Sequence, residues 1–419
     1  MNDRSNIRRV VVTGIGVVAP NGCQLDRFWD SLCAGESAAA EITRFSTEGL
    51  PTRIGCEVTS LNVGDYMDAR KAKRFERSIR YGIAAAKMAL TDSGMSLENM
   101  DPDRAGIVEG TSVSGMESTF KGQLAFNSKG YKSMSPFTLI NAYCGGCSGE
   151  IALELGAKGH VITLGTGSAS GNDAIGYALE MIARDEVDLM VAGGSEAPIL
   201  APLWGAFCLT RTMTKRNDDP KGAMRPFDRR RDGFLLGEGG AYLVLEELSH
   251  ALLRGARIYA EVAGHGKSCE AFHSVAPQPE GAGLQRAMQK ALRRAGMHTT
   301  EIDYINLHGT ATDANDLVET RAVKHLFGDH ARRVSVSSTK PVTGHLLGAS
   351  GALESAIACL AIQREMIPPT INLKEPEEGC DLDYVTDGAR PYPVRAAMNL
   401  SAGFGGKNSC LILRQYRPE

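Results

Sequence analysis

Two stretches of this chain are built on one plan. Val161–Ile182 (VITLGTGSASGNDAIGYALEMI) runs a β-branched strand into a Gly/Ser/Thr turn and then a helix, and Val334–Ile357 (VSVSSTKPVTGHLLGASGALESAI) does the same. Around them, Ala105–Gly115 matches Asp303–Thr312 as strand, glycine and polar loop. Each half also closes with a strand after a glycine-rich turn, at 237–247 and 403–413. Strand–turn–helix units bury their apolar faces only by stacking in layers, so this duplication predicts two related α/β halves. A fresh strand, ARIYAEVAGHG, opens at residue 256, which sets the predicted halves at 1–250 and 251–419. The length of 419 residues agrees, because it exceeds what one core usually serves.

Composition excludes several function classes. A formal net charge of −3 gives no basic footprint for nucleic acid or a membrane surface. No apolar run approaches the roughly 18–20 residues that span a bilayer. The first ten residues, MNDRSNIRRV, lack the apolar segment of a secretory signal. Ten cysteines are too sparse for a disulfide scaffold. The expectation is a cytoplasmic protein with neither membrane nor nucleic acid as partner.

Local patterns refine this. Residues 8–20 (RRVVVTGIGVVAP) predict a buried strand; Gly14 and Gly16 superficially suggest a nucleotide loop, but the run stays apolar. Residues 66–92 predict one amphipathic helix, and 212–233 a long polar loop of functional kind. Cys144 and Cys147 form one C-x-x-C pair with no second pair, so helix packing is expected there and no metal site.

Chemistry concentrates at the turns. Gly165–Gly171 (GTGSASG) takes a strand straight into a helix, and Ser168 stands where free N–H groups and the helix dipole favour negative charge. That suits a nucleophile or an oxyanion; small residues also make an ordinary turn of this kind. His308 in LHGTATDAND and His345 in STKPVTGHLLGASG each follow a strand, at comparable places in their units, where both can reach one pocket. Neutral imidazoles donate hydrogen bonds to a developing oxyanion or enolate, and Lys340, five residues before His345, can orient that site by its charge.

The motifs RRVVVTGIGVV, GTGSASGNDAIG, VAGGSEA, RPFDRRRDGFLLGEGG, LHGTATDANDLVE, SSTKPVTGHLLGASG and GFGGKN, in this order, cover essentially the whole chain. Together they resemble the elongating β-ketoacyl-acyl-carrier-protein synthases, condensing enzymes of the thiolase-like fold. The resemblance implies an α/β thiolase-like fold whose two related halves hold mixed sheets packed in layers with helices. It implies decarboxylative condensation of an acyl chain with malonyl in fatty acid or polyketide synthesis. Site residues follow from it as well. The family's two histidines fall on His308 and His345, its lysine on Lys340, and an acidic residue on Glu319. Thr310 and Thr312 would hydrogen-bond the pantetheine arm, Val113 and Phe207 would line the acyl channel, and Phe404 would gate it. The N–H groups of Phe404 and of residue 168 would form the oxyanion hole. No cofactor is implied beyond the 4'-phosphopantetheine that an acyl carrier protein delivers. The implied assembly is a homodimer, or a heterodimer with a homologous ketosynthase or chain-length-factor subunit. Arg70, Lys73 and Arg74 lie at i, i+3 and i+4, one face of a helix that Arg77 extends. Charge pattern alone reads that face as solvated and partly balanced by Glu76; the resemblance makes it the carrier-docking surface.

One departure bears on activity. The family's nucleophile turn carries Cys, and this chain has Ser168 there. A thiol at a helix N-terminus ionises readily, whereas an alcohol needs an adjacent base. The expectation is impaired condensation. Three origins stand open: an engineered Cys-to-Ser substitution, a natural decarboxylating or non-condensing paralogue, and a catalytically silent chain-length-factor-like subunit. The intact His308, Lys340 and His345 favour the first. Ala402 and Lys407 also differ from residues common in fatty-acid synthases of the family, which hints at a secondary-metabolite subtype.

Overall fold

In the computed structural model, which describes residues 8–96 and 100–418, the sequence repeat is a repeat of sheet topology. The first half supplies β1 (Val10–Val18), β2 (Ala105–Gly110), β3 (Val161–Leu164), β4 (Leu189–Glu196) and β5 (Gly239–Glu247). The second supplies β6 (Ala260–Cys269), β7 (Tyr304–Asn306), β8 (Ser335–Ser337), β9 (Ala396–Gly403) and β10 (Lys407–Arg414). The first set is ordered β3-β2-β4-β5-β1 and the second β8-β7-β9-β10-β6, so corresponding strands hold corresponding places. In each set three neighbours run parallel and the remaining pairings are antiparallel. The sets join where β1 meets β6, Val11 opposite Glu261 and Val12 opposite Ala260.

Six helices matter for the site: α1 (Arg77–Asp92), α2 (Met116–Lys129), α3 (Ser170–Ala183), α4 (Ala282–Ala295), α5 (Asp313–Phe327) and α6 (Ser350–Arg364). Helix α1 covers β1, β4 and β5, and α4 covers β6 and β10; α3 and α6 lie between the two sets, against each other and against strands of both. Helix α6 is buried from Ser350 through Ile362, which is why its sequence is rich in small and apolar residues all round. The glycines of β1 serve packing: a Cβ on Gly16 would stand 1.9 Å from Ala85 O, and one on Gly14 2.1 Å from Ala89 O. They let α1 lie directly on the strand, so no nucleotide loop forms. Gly171 and Gly351 do the same at the molecule's centre. A Cβ on Gly171 would meet Ala352 N at 2.5 Å, and one on Gly351 would meet Asn172 N at 2.7 Å. The first turns of α3 and α6 therefore touch backbone to backbone.

The single helix expected over 66–92 is two. A short helix, Ala69–Ala72, capped by the Asp68 carboxylate, ends before α1 begins. The break lies at Phe75 and Glu76, both buried. The Glu76 carboxylate accepts N–H bonds from Gly115 (2.7 Å) and Ser118 (3.0 Å) at the start of α2, so it turns inward and does not balance a surface face. Arg77 is likewise no part of that face. It is largely covered, paired with Glu117 (3.2 Å) and Glu238 (2.8 Å). Arg70, Lys73 and Arg74 are all exposed, but only Arg70 lies within the short helix.

Cys144 is exposed, Cys147 is buried, and neither is in a disulfide. Residues 212–233 form the expected long connection, with one short helix at Pro220–Ala223. No helix among the described residues is long and apolar enough to cross a membrane. Residues 1–7, part of the segment read as lacking a signal, lie outside the described residues.

Candidate active site

Ser168 sits in a one-turn 3-10 segment, Gly167–Ala169, between β3 and α3. Gly167 has φ +65°, a left-handed conformation that a side chain would strain. The turn is braced from inside the helix. Ser170 Oγ accepts from Thr166 N–H (2.9 Å), and Thr166 Oγ1 donates to Asp173 Oδ2 (2.7 Å). Asp173 also meets His265 Nε2 of β6 at 3.1 Å, tying the turn to the second half.

Both histidines come from the second half. His308 follows β7, and its loop is held by Glu319 of α5, whose carboxylate accepts the N–H groups of His308 (2.6 Å) and Gly309 (2.8 Å). Glu319 thus orients the backbone and does not touch the imidazole. Burial pushes its carboxyl up to about 7, against the pull of those two N–H groups. His345 is pinned by its own N–H to Leu235 O (2.7 Å). Its ring Nε2 lies 3.0 Å from Ser168 Oγ, and its Nδ1 lies 2.9 Å from Ser350 Oγ at the start of α6. The two imidazoles meet edge to face, with centroids 5.4 Å apart and planes at 84°. Phe234 packs edge-on against His345, also at 5.4 Å.

Electrostatics keep both rings neutral. Burial is the main cause, and the Lys340 ammonium adds to it, so both titrate well below the ordinary imidazole range; for His308 the neighbouring His345 contributes too. Lys340 is itself buried, in an ion pair with Glu354 of α6. Burial pushes the Glu354 carboxyl up to about 7 against the ammonium's pull.

Ser168, His308 and His345 open onto one cavity of about 430 Å³, whereas Lys340 and Glu319 lie behind it. Val113, Phe207, Phe234 and Leu347 give it an apolar wall, while Thr310 and Thr312, 3.1 Å apart at their hydroxyls, line it near His308. Phe404, at the turn between β9 and β10, is half exposed on the rim. A Cβ on Gly403 would stand 3.1 Å from Ser168 N, and one on Gly167 3.9 Å from Phe404 N, so the two backbone amides share a corner beside Ser168. Ala402 lines the cavity, whereas Lys407 is exposed outside it. Arg70, Lys73 and Arg74 are not among the cavity's lining residues.

Three side chains that sequence reading passed over belong to this arrangement. Ser350 backs His345, and Glu354 neutralises Lys340. Glu196 holds the loop before α2, accepting from Thr111 Oγ1 (3.0 Å) and Val113 N–H (3.2 Å), with its carboxyl raised by burial to about 8. One signal was available: the triplet Ala-Ser-Gly recurs at 169–171 and 349–351, which sets Ser350 opposite Ser170 in the repeat.

Two topologically equivalent halves meeting at paired helix starts, with the Ser168 turn from one and two imidazoles from the other, define a condensing enzyme of the thiolase-like fold. The chain belongs to the β-ketoacyl synthase family: residues 7–251 match its N-terminal domain and residues 259–374 its C-terminal domain. It is 42% identical over 406 residues to a 3-oxoacyl-acyl-carrier-protein synthase 2 of Coxiella burnetii, covering 97% of this chain and 98% of that protein. Among solved structures, the ishigamide ketosynthase/chain length factor matches with TM-score 0.91 and 37% identity over 98% of this chain and 100% of that one. A type II PKS acyl-carrier protein in complex with its ketosynthase, bound to the hexaketide, also matches with TM-score 0.91, at 32% identity over 98% and 100%.

Proposed function

We propose that the chain condenses an acyl group with a malonyl unit carried on acyl carrier protein, in fatty acid or type II polyketide synthesis. The observation that carries this reading is the convergence of Ser168, His308 and His345 on one cavity with an apolar wall. The acyl group moves to residue 168 and lies along Val113 and Phe207. The arriving malonyl thioester, its pantetheine arm held by Thr310 and Thr312, loses carbon dioxide while His308 and His345 donate to the enolate oxygen. Neutral imidazoles are suited to that donation. The carbanion then attacks the acyl carbonyl, whose oxygen is held by the N–H groups of Ser168 and Phe404. The arm arrives with the carrier, so no resident cofactor is needed. Arg70, Lys73 and Arg74 form the docking surface, since carriers of this kind are acidic and all three cations are exposed. The protein works in the cytoplasm as a homodimer or a heterodimer with a homologous subunit. Exposed Leu124, Leu139, Tyr143 and Leu153, beside the half-exposed edge strand β3, supply an apolar face for that partner.

With serine at position 168, condensation should run slower than with the family's cysteine. The test is Ser168→Cys assayed with acyl and malonyl carrier proteins. A gain of about tenfold or more in β-ketoacyl product is expected; no gain with any acyl donor counts against the reading. A second reading, a catalytically silent partner subunit, draws on the missing thiol. It requires no malonyl decarboxylation by the chain alone and a tight heterodimer in native mass spectrometry.

A further inference from the structure

We infer that Ser168 is a working nucleophile: its hydroxyl, with His345 Nε2 as base and Ser350 behind the imidazole, takes the acyl group from a carrier thioester as an oxyester. The inference rests on the condensing-enzyme reading and adds a chemistry that a dormant serine would lack. The sequence sets an alcohol where the family has a thiol, and an alcohol needs a base within hydrogen-bond reach. The structure supplies one. Ser168 Oγ and His345 Nε2 are 3.0 Å apart, and the far nitrogen of the same ring is 2.9 Å from Ser350 Oγ. In the acylation step Ser350 accepts the Nδ1 proton and Nε2 is left unprotonated and aimed at Ser168; in decarboxylation the tautomer reverses, the Ser350 hydroxyl donating to Nδ1 so that Nε2–H faces the enolate. The ring cannot swing away. Its backbone is tied to Leu235, Phe234 packs on its edge, and Ser350 is fully buried where α6 touches α3. Burial beside Lys340 keeps the imidazole in its neutral form.

The step balances with groups at hand. Ser168 Oγ attacks the thioester carbonyl as its proton passes to His345 Nε2. The negative carbonyl oxygen sits at the Ser168 and Phe404 amides. The carbonyl then re-forms, the C–S bond breaks, and the departing thiolate takes the proton back from His345. One thiol leaves and one oxyester remains. An oxyester carbonyl is a weaker electrophile than a thioester, so the subsequent carbon–carbon bond forms slowly and the acylated enzyme accumulates. A complete proton-transfer apparatus is thereby compatible with the slow condensation expected of a serine.

The test is intact-mass spectrometry of the full chain after exposure to hexanoyl-N-acetylcysteamine. One hexanoyl group per chain is expected, mapped to Ser168, stable to neutral hydroxylamine and released by alkaline hydroxylamine, as an oxyester is. Ser168→Ala should carry none. His345→Gln should slow acylation by about a hundredfold or more. The same change made together with Ser168→Cys should cost far less, because a thiol at a helix N-terminus ionises without the base. Ser350→Ala should lower the maximal acylation rate by about tenfold with its half-saturating concentration unchanged, and Ser350→Thr should restore it. Equal losses for His345→Gln in the Ser and Cys backgrounds would show that the histidine merely shapes the site, and would overturn the inference. So would the lack of any adduct while malonyl-N-acetylcysteamine is still decarboxylated, an outcome that leaves the condensing reading standing. Loss of decarboxylation as well would remove both.

Discussion

At the scale of single residues, the site depends on charges held in unusual states. The low titration of His308 and His345 comes first from burial and then from Lys340. The base form of His345 should therefore persist well below the ordinary imidazole range, and Ser168 acylation should stay flat as pH falls through 6.5. Lys340→Met removes the repelling ammonium, so the imidazole pKa rises and the acid limb of the pH–rate profile moves to higher pH; an unmoved limb would assign the shift to burial alone. The same change strands Glu354, which then takes up a proton, since an unpaired buried carboxylate is costly. At the cavity wall, Val113→Trp should shorten the longest accepted acyl chain, read from competition between donors of different length. An unchanged preference would place the channel elsewhere.

At the scale of elements, the site is made by close approach of backbones. Ser168 and His345 stand on the turns that lead into α3 and α6, and those helices touch through Gly171 and Gly351. Gly171→Ala should therefore destabilise the protein by about 1–3 kcal/mol and slow acylation, because the new methyl meets Ala352 N and the helix starts must part. Gly149, inside the helix Gly146–Leu155, has nothing within 4 Å of a built Cβ, so Gly149→Ala should leave the melting temperature unchanged or raise it. A third element is the short helix Ala69–Ala72. Reversing Arg70, Lys73 and Arg74 to Glu should abolish carrier binding while sparing thermal stability and reaction with a small pantetheine thioester. The triad is exposed and stands apart from the Arg77–Glu238 pair, and its one packing contact is Arg74 over the Phe137 ring at 5.2 Å. Undiminished carrier affinity at low salt would move the docking surface.

At the scale of the whole molecule, strand β3 ends the sheet, and large apolar side chains stand exposed on the neighbouring helices. Leu139→Glu with Tyr143→Glu should dissociate the assembly in sedimentation, and a monomer for the unchanged chain at micromolar concentration would reject a dimer. Much of this architecture was legible in one dimension. Strand–turn–helix units announce themselves through β-branched runs and glycine turns, because backbone geometry and burial act locally, and the duplication of those units already implied two halves. The placement of Ser168, His308 and His345 on one pocket was legible for the same reason, since each sits at a turn where a strand ends, whereas Lys340 is buried behind it against Glu354. What failed were the unbroken helix over 66–92 and statements about which way a side chain points. Arg77 and Glu76 looked like surface charge until Glu238, Glu117 and the start of α2 came to meet them from distant positions. Ser350 drew no notice in the sequence, and its place behind His345 shows only where its helix packs against the one that follows Ser168. Sequence by itself determined most of the elements, the repeat and the candidate groups at the turns, since these follow from local geometry and residue chemistry. Only the tertiary structure decided that an imidazole stands 3.0 Å from the serine hydroxyl, because that distance is set by two helices, from opposite halves, crossing where neither has a side chain to keep them apart.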